Sequence, residues 1–295
     1  MREVRLGELA INKIVEMVDG LPISMVLPDI EGADLTRLKT WFWDETLSEN
    51  PAKAMFTLSI HSYVVKVDGR NILIDACNGN HKTRSIPMGH NLDTPYLAKL
   101  AAIGLRPEDI DMVLCTHLHA DHVGWNTRLI DGRWVPTFPN ARYIFGRRDH
   151  DFYSKQTHEP FHREAYLDSV LPVVEAGLAD IVDEDIAVHR ELGDGLWLES
   201  AIGHSPGSYV VHARRGGGGA LFSGDVFHHP IQLVRPDLPF FADEDPAQAS
   251  ATRIRLLGDH ADRETIFFPA HFTGCSAGRV KRDGKAFRYE FLEKG

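Results

Sequence analysis

Apolar and polar residues alternate along much of the chain in a pattern that predicts a mixed α/β fold. Phe56 to Val67 is predicted as a strand, Asp68-Gly69 as a hairpin turn, and Asn71 to Ile74 as the returning strand. Pro95 to Leu105 has apolar residues at helical spacing and predicts a helix. Met112 to Cys115 is a short apolar run, which predicts a buried strand that leads directly into a histidine-rich segment.

The rest of the chain continues this mixture of strands and helices. Residues 147–180 have helical spacing, and Asp245 followed by Pro246 is a typical helix start, which predicts a helix to about Leu257. The glycine run at residues 216–219 predicts a loop between two strands. Further strands are predicted at residues 142–145, 196–202, 208–213, 220–223 and 265–268.

The first 50 residues have a less regular pattern. Leu9 to Val18 has helix-like spacing, and prolines and a glycine mark loops after it. We find no repeat and no linker, so we expect a single domain, with residues 1–50 as an extension packed on a core of residues 51–295. The three rings of Trp41-Phe42-Trp43 cannot all face one core, and they line a pocket mouth, form a dimer contact or pack partly in the core.

Composition narrows the class of protein. A hydrophobic content of 43% with 25% charged residues is ordinary for a globular protein with a sizeable core. The formal net charge is −10, whereas a nucleic-acid-binding protein usually carries a basic face. The composition therefore argues against a DNA or RNA partner and favours a small-molecule substrate.

Cysteine usage and the absence of long apolar runs indicate the compartment. Cys77, Cys115 and Cys275 are widely spaced and include no CxxC pair, which favours a reducing environment. The N-terminal residues have scattered charges and lack the apolar region of a signal peptide. No stretch approaches the roughly 18 apolar residues that a membrane span needs. We therefore expect a cytoplasmic protein that does not cross a membrane.

Three imidazoles and a carboxylate lie close together in His117-Leu-His119-Ala-Asp121-His122, just after the predicted strand. In an extended segment, residues at i and i+2 project to the same side, so His117 and His119 can bind one ion. Asp121 and His122 then turn toward a neighbouring position. Imidazole and carboxylate without thiolate suit zinc best, with iron, manganese or cobalt as alternatives. A histidine-rich surface loop is the other interpretation.

One loop cannot complete two metal sites, so we expect further ligands elsewhere in the chain. Three residues share the placement of the cluster, because each lies just beyond a short apolar strand: His204, Asp225 and His271. In a layered fold, strand ends can share one edge of the sheets, which would bring these residues to the cluster. Asp75 ends another predicted strand and is a candidate to support a ligand histidine through a hydrogen bond.

The order HxHxDH, His, Asp and His over residues 56–275 resembles the metallo-β-lactamase superfamily, whose fold is an αββα sandwich of two mixed sheets flanked by helices. The resemblance implies a binuclear metal centre, with two zinc ions as the expected cofactors. The implied ligands are His117, His119 and His204 for the first metal, Asp121, His122 and His271 for the second, and Asp225 as a bridge.

Ligand identity separates branches of the superfamily. Zinc β-lactamases typically have Cys where Asp225 stands, and flavo-diiron oxidoreductases have Glu where His119 stands. The resemblance therefore favours branches with an Asp bridge: lactonases, thioester hydrolases of the glyoxalase II type, tRNA-processing nucleases and phosphotriesterases. N-acyl-homoserine lactonases usually have Tyr at the position of His228, and residues 223–228 and 245–253 look closer to the methyl parathion hydrolase-like branch.

These observations lead to a hypothesis about function. We expect a dinuclear zinc hydrolase that cleaves a lactone or related ester by attack of a metal-bridging hydroxide, with phosphotriesters as promiscuous substrates. Asp121 is the candidate to orient the nucleophile and move its proton, and His228 to donate to the leaving group or scissile oxygen, unless it only packs. The alternatives are a thioester or β-lactam hydrolase, a nuclease of the same fold, and an inactive binding protein. A homodimer is a further expectation.

Overall fold

Two β-sheets form the centre of the computed structural model, which describes residues 3–155, 160–183 and 195–292. The first sheet has the strand order β1-β2-β3-β4-β5-β8-β9, the second runs from β10 to β15 in order, and β6 and β7 form a separate pair. In chain order the strands are β1 Val4–Leu6, β2 Leu9–Pro22, β3 Met55–Val67, β4 Arg70–Ile74, β5 Met112–Leu114, β6 Thr127–Ile130, β7 Arg133–Pro136, β8 Arg142–Gly146, β9 Ala179–Val182, β10 Leu196–Ser200, β11 Tyr209–Arg215, β12 Gly218–Gly224, β13 Ile266–Pro269, β14 Gly278–Asp283 and β15 Ala286–Phe291.

Helices lie on the outer faces of the sheets. Short 3₁₀ turns occur at Pro107–Asp109 and Gly124–Asn126, and a π-helical segment occurs at Tyr166–Val170. The α-helices are α1 Ile23–Val26, α2 Gly32–Leu38, α3 Tyr96–Ala102, α4 Ala120–Val123, α5 Arg147–Tyr153, α6 Pro160–Ala165, α7 Leu171–Glu175, α8 Ile231–Val234 and α9 Pro246–His260.

The period-two alternation of apolar residues explains the layers. In β4, Ile72 and Ile74 join the core between the two sheets, whereas Leu73 joins a separate core on the outer face. Phe222 and Phe268 of the second sheet fill the same inner core from the opposite side. Both faces of these strands are buried, so each sheet needs a covering layer on its outer side.

The covering layers are helical. Tyr96 and Leu100 of α3 pack on the outer face of the first sheet, and Leu256 and Leu257 of α9 pack on the second sheet against Leu221. The result is the predicted αββα sandwich of two mixed sheets: β4, β5, β8 and β9 pair in parallel, and β12 pairs in parallel with β13.

Most predicted elements are confirmed. The hairpin at Asp68-Gly69 joins β3 to β4, and the glycine run joins β11 to β12. Helix α9 begins as predicted, because the Asp245 carboxylate accepts a hydrogen bond from the Gln248 N–H at 3.0 Å and Pro246 occupies the first turn. The helical spacing of residues 147–180 corresponds to α5, α6 and α7, but it ends in strand β9, which the sequence pattern did not distinguish.

The helix predicted at Leu9 to Val18 was wrong, since this segment belongs to strand β2. Ile11 lies in the core between the sheets and Ile14 in the outer core, so apolar residues occur on both faces of the strand. A register shift between Val15 and Met17 marks a β-bulge, which adds one residue to the strand. Burial on both faces together with the bulge imitates helical spacing.

Residues 1–50, expected as an extension packed on the core, contribute strands β1 and β2 to the first sheet itself. Helices α1 and α2 pack Ile23 and Leu35 into a cluster with Phe56 of β3 and Phe240. The proposed division of the chain into domains stays a prediction. No helix within the described ranges is both long and apolar enough to span a bilayer.

A buried ionic group ties the segment after β4 to the π-helical segment. Asp168 lies 3.4 Å from Lys82 Nζ and 2.6 Å from Arg84 Nη1, and the side chains of Lys82 and Arg84 are 0% and 2% exposed. Lys82 also donates to Thr127 Oγ1 at 2.9 Å and lies over the ring of Trp134. Burial lowers the pKa of Lys82 to about 7, while Asp168 acts in the opposite direction. One carboxylate therefore compensates two buried cations.

We expect Asp168→Asn to destabilise the fold strongly, because Lys82 and Arg84 would stay buried without their counter-charge. Breaking a buried ion pair costs about 3–5 kcal/mol of unfolding free energy, which urea denaturation would measure. Asp180→Asn is the matched control, since its pair with Arg142 has side chains 46% and 44% exposed and should contribute less than about 1 kcal/mol. Equal losses in the two variants would contradict the prediction.

Candidate metal centre

The predicted site residues meet at one edge of the sandwich, where strands of both sheets end. His117 follows β5, His204 follows β10, Asp225 follows β12 and His271 follows β13. The backbone just before Asp225 requires glycine: Gly224 has φ +49°, and a Cβ there would lie 2.8 Å from Thr116 Oγ1. The turn after β12 can therefore press against the strand that leads to the histidine cluster.

Four groups of side chains at this edge could hold a metal ion. His117, His119 and His204 form one, and Asp121, His122 and His271 form another; Asp225 joins His117 and His122 in a third and His204 and His228 in a fourth. The ligand atoms are close: His119 Nδ1 lies 3.0 Å from His204 Nε2, and His271 Nε2 lies 3.5 Å from Asp121 Oδ2. All seven residues predicted as ligands are thus brought together.

Asp225 lies between the group of His117, His119 and His204 and the group of Asp121, His122 and His271. Its Oδ2 is 3.3 Å from His204 Nε2, 3.3 Å from His122 Nε2 and 3.7 Å from His117 Nε2. Its Oδ1 is 3.1 Å from His271 Nε2. This carboxylate approaches histidines of both groups, which is the position that a bridging ligand requires.

Each histidine of the two groups uses its second ring nitrogen for an outer contact. In the first group, His119 Nε2 pairs with Tyr153 Oη at 2.8 Å, His204 Nδ1 with Asp243 Oδ1 at 2.9 Å and His117 Nδ1 with Thr116 Oγ1 at 3.2 Å. In the second group, His122 Nδ1 lies 3.0 Å from Asp75 Oδ2, and His271 Nδ1 pairs with the Ser59 carbonyl at 3.3 Å. Outer contacts of this kind fix the ring orientation of metal ligands. The support expected from Asp75 therefore has a partner in His122.

The donor set fits a metal ion. His117 Nε2 is buried and makes no hydrogen bond within the described part of the chain. A buried polar atom without a partner is costly, and an ion bound at this position would remove that cost. Neutral imidazoles and carboxylates are the ligands that zinc and similar divalent metals accept.

Burial and charge set opposite protonation tendencies in this cluster. Burial lowers the pKa of His117 and His119 well below the usual value, so both rings are neutral and can offer a lone pair. Burial also disfavours the cationic form of His204, but hydrogen bonds to Asp225 and Asp243 outweigh it and raise its pKa to about 9. Burial favours the neutral acid at Asp225, yet the neighbouring His122 and His271 hold its pKa well below the usual range. Metal binding at this cluster therefore competes with protons.

A cavity of about 390 Å³ opens onto the cluster. Its lining combines polar residues of the site with apolar side chains. We call the polar part of the lining the polar side, which includes His119, Asp121, His204, Asp225, His228, Asp243, Glu244 and His271, and the apolar part the apolar wall, which includes Leu21, Leu58, Ile86, Met88, Phe161, Phe240 and Phe241. This volume is in the range of small-molecule sites, roughly 300–1,000 Å³.

His228 lies in this cavity. It is buried, its ring stacks on Phe240 at 3.8 Å between centroids, and its Nε2 lies 3.2 Å from Asp225 Oδ2. Burial lowers the pKa of His228 to about 4, so the ring is neutral and its N–H can donate a hydrogen bond. His228 therefore lies beside the predicted ligand Asp225, and its role in the reaction stays a prediction.

Several residues near the cluster were not identified from the sequence. His162 stacks on His119 at 3.8 Å and lines the cavity. Tyr153 and Asp243 contact ligand histidines from distant parts of the chain. No local pattern marks such partners, because only the folded chain places them.

The aromatic run Trp41-Phe42-Trp43 does not line this cavity. It borders a second depression, of about 900 Å³, together with Cys275 and the end of β15. Phe42 stacks on Phe291 at 5.7 Å. The run therefore borders a pocket, as one of the alternatives for it expected, but not the cavity beside the histidine cluster.

Comparisons with known proteins place this geometry in a family. A model described as the metallo-beta-lactamase superfamily matches residues 56–271. A ribonuclease of Thermus thermophilus is 25% identical over 194 residues, which is 62% of this chain and 38% of that protein. The N-acyl homoserine lactonase AttM of Azorhizobium caulinodans is 26% identical over 180 residues, 59% of this chain and 63% of that protein. The matches therefore span less than two thirds of the length of these relatives.

A solved structure is similar over the whole chain. AidC, described as a dizinc quorum-quenching lactonase in complex with a product, aligns with a TM-score of 0.79 over 100% of this chain and 98% of that one. The sequence identity is 20%, so the similarity establishes the fold. The predicted metallo-β-lactamase fold is thereby confirmed.

Proposed function

The chain belongs to the metallo-β-lactamase superfamily, and we propose that it is a metal-dependent hydrolase that cleaves lactones or related carboxylic esters with two zinc ions. The observation that carries this proposal is the cavity, which places an apolar wall beside two groups of histidine and aspartate side chains. The similarity to AttM and AidC, both described as lactonases, supports the same substrate class.

The proposed ligands follow the two groups at the sheet edge. His117, His119 and His204 would hold one ion, Asp121, His122 and His271 the second, and Asp225 both. Two bound zinc ions would supply a water of lowered pKa and positive charge at the scissile and leaving oxygens. The protein would contribute the ring orientations, fixed by the outer contacts of the histidines, and a cavity that excludes bulk water.

The cavity supports a small substrate with an apolar part. Leu58, Met88 and Phe161 of the wall offer hydrocarbon surface to an acyl chain or to the carbon skeleton of an ester. A polynucleotide needs a long basic groove, and the net charge of this chain is −10. We therefore favour an ester substrate over RNA, despite the similarity to a ribonuclease.

Two residues on the polar side would act on the substrate. Asp121 has a side chain 21% exposed, more than His122, Asp225 or His271 beside it, so its carboxylate reaches the cavity. We assign it the orientation of the attacking water and acceptance of its proton. His228 would donate its N–H to the scissile or leaving oxygen, held in place by the stack on Phe240.

The proposal extends to partners and compartment. We propose a small-molecule substrate without nucleic-acid or membrane partners, and a homodimer as the assembly. The three cysteines are free thiols, which fits the reducing conditions of the cytoplasm.

Metal analysis and a substrate panel test the function. We expect two zinc ions per chain, and hydrolysis of lactones and aryl esters well above that of a phosphotriester, a thioester, a cephalosporin and an RNA oligonucleotide. The same preparation should be assayed against all of them after metal content is measured. Metal-loaded protein that cleaves RNA or the thioester faster than every lactone would overturn the proposed substrate class.

Asp121→Asn tests the proton-accepting role. The amide can still face the metal position but is not a base, so we expect kcat to fall by roughly 10²–10⁴-fold with both ions retained. Steady-state kinetics and metal content on the same sample provide the measurement. Full turnover with both ions bound would show that Asp121 has no role beyond ligation.

His228→Ala tests the donor role. Loss of one hydrogen-bond donor to a developing oxyanion should lower kcat by roughly 10²–10³-fold. The neighbouring His229 is an equally buried control that does not line the cavity and whose Nδ1 accepts from the Ile231 N–H at 3.2 Å. His229→Asn keeps an acceptor there and should leave kcat nearly unchanged. An unaltered kcat in His228→Ala would remove the residue from the mechanism.

A further inference from the structure

We propose that Asp149 is a positioning residue that holds the group His117, His119 and His204 in ligating geometry and sets the metal affinity of that group. This inference rests on the ligands assigned in the proposed function. Asp149 lies in helix α5, away in sequence from every one of those ligands, and its carboxylate accepts hydrogen bonds from residues next to the histidines and not from the three rings.

The Asp149 carboxylate joins the two loops that carry these histidines. Its Oδ2 accepts hydrogen bonds from the Leu118 N–H at 3.0 Å and from the Ser205 hydroxyl at 2.9 Å, and its Oδ1 accepts from the Gly207 N–H at 2.6 Å. Leu118 lies between His117 and His119, and Ser205 follows His204. One side chain thus fixes both loops relative to each other.

Helix α5 and the loop after His204 are in close contact. A Cβ on Gly207 would lie 2.5 Å from the Asp149 backbone nitrogen and 3.0 Å from its Oδ1, so the loop after His204 reaches the helix only because residue 207 is glycine. Tyr153, one turn after Asp149 in α5, contributes the contact to His119 Nε2. The same face of α5 therefore supports the His119 ring and the backbone of both loops.

The chemistry of the contact requires a carboxylate. Asp149 is 0% exposed and its three donors are neutral groups. Burial raises its pKa to about 6, against the hydrogen bonds from Ser205, Gly207 and Leu118. An asparagine has one acceptor oxygen and an NH₂ group, so the isosteric Asp149→Asn would turn a donor toward at least one of the donors that Asp149 now satisfies.

The side chains of the second group, Asp121, His122 and His271, are held by contacts that do not involve Asp149. His122 is contacted by Asp75, and His271 by the Ser59 carbonyl. Neither support involves α5. Loss of the Asp149 contacts should therefore act on one metal position and leave the other close to its original affinity.

The test is a metal titration of chelator-stripped full-length protein, with zinc affinities from a competing chromophoric chelator and ligand sets from cadmium NMR. Wild type should bind two ions. Asp149→Asn should bind one ion with unchanged affinity and the ion of the three-histidine group roughly 10–100-fold more weakly. Excess zinc should restore the second equivalent. Because no substrate enters the titration, failure of the lactone assay would leave this result unaffected.

Asp168→Asn is the control, since it makes the same chemical change at a largely buried carboxylate whose side chain pairs with Lys82, Arg84 and Ser169 and not with the ligand loops. It should lower the melting temperature but keep both zinc affinities. Ser205→Ala removes one of the three donors and should weaken the same ion by a smaller factor, which keeps the test decisive if Asp149→Asn does not fold. Unchanged affinity in Asp149→Asn or Ser205→Ala, or equal weakening of both ions, would overturn the proposal.

Discussion

Asp225 is a buried carboxylate surrounded by imidazoles, and the geometry of the site depends on this contact. Nitrogens of His122, His204 and His228 lie within 3.3 Å of its Oδ2, and His271 Nε2 lies 3.1 Å from its Oδ1. An isolated anion at such a depth would be unstable, so the position requires positive charge around it. That charge comes from protonated imidazoles or from metal ions, and the two compete for the same lone pairs. The chain therefore has to hold the imidazoles in place before a proton or a metal ion binds to them.

The support comes from buried carboxylates that contact the ligand histidines or their loops and come from distant parts of the chain. Asp75 contacts His122 and the backbone before His117, and Asp243 contacts His204 and lies 3.6 Å from the buried Arg253. Asp149 ties the His117 and His204 loops together. Each of these acids accepts hydrogen bonds from groups beside the site, so these bonds, together with the packing of Leu118 in the core, hold the loops in place. Loops need such anchoring to carry ligands precisely.

The sequence predicted the features of this molecule that follow from short patterns of neighbouring residues. A histidine cluster after a buried strand, and single ligands after three further strands, needed only the rule that strand ends share an edge. Strand β2 was misread because burial on both faces and a bulge hide the period of two. Asp149, Tyr153 and Asp243 escaped notice because their partners lie more than 30 residues away and no spacing marks them. Long-range contacts of single polar residues have no local pattern, so only the folded chain reveals them.

Family membership and substrate choice are therefore encoded in different parts of the chain. The ligands stand in one order along residues 117–271, whereas the apolar wall is assembled from separate segments: Leu21 of β2, Leu58 of β3, Ile86 and Met88 after β4, and Phe240 before α9. The segment with Ile86 and Met88 is itself held by the ion pairs of Lys82 and Arg84 with Asp168. Leu21, Leu58, Ile86 and Met88 make no hydrogen bond to a proposed ligand through their side chains, so we expect that these wall positions can change by substitution while the metal centre stays intact. The reaction type therefore depends on the sheet edge, and we expect substrate choice to depend on the segments that form the apolar wall.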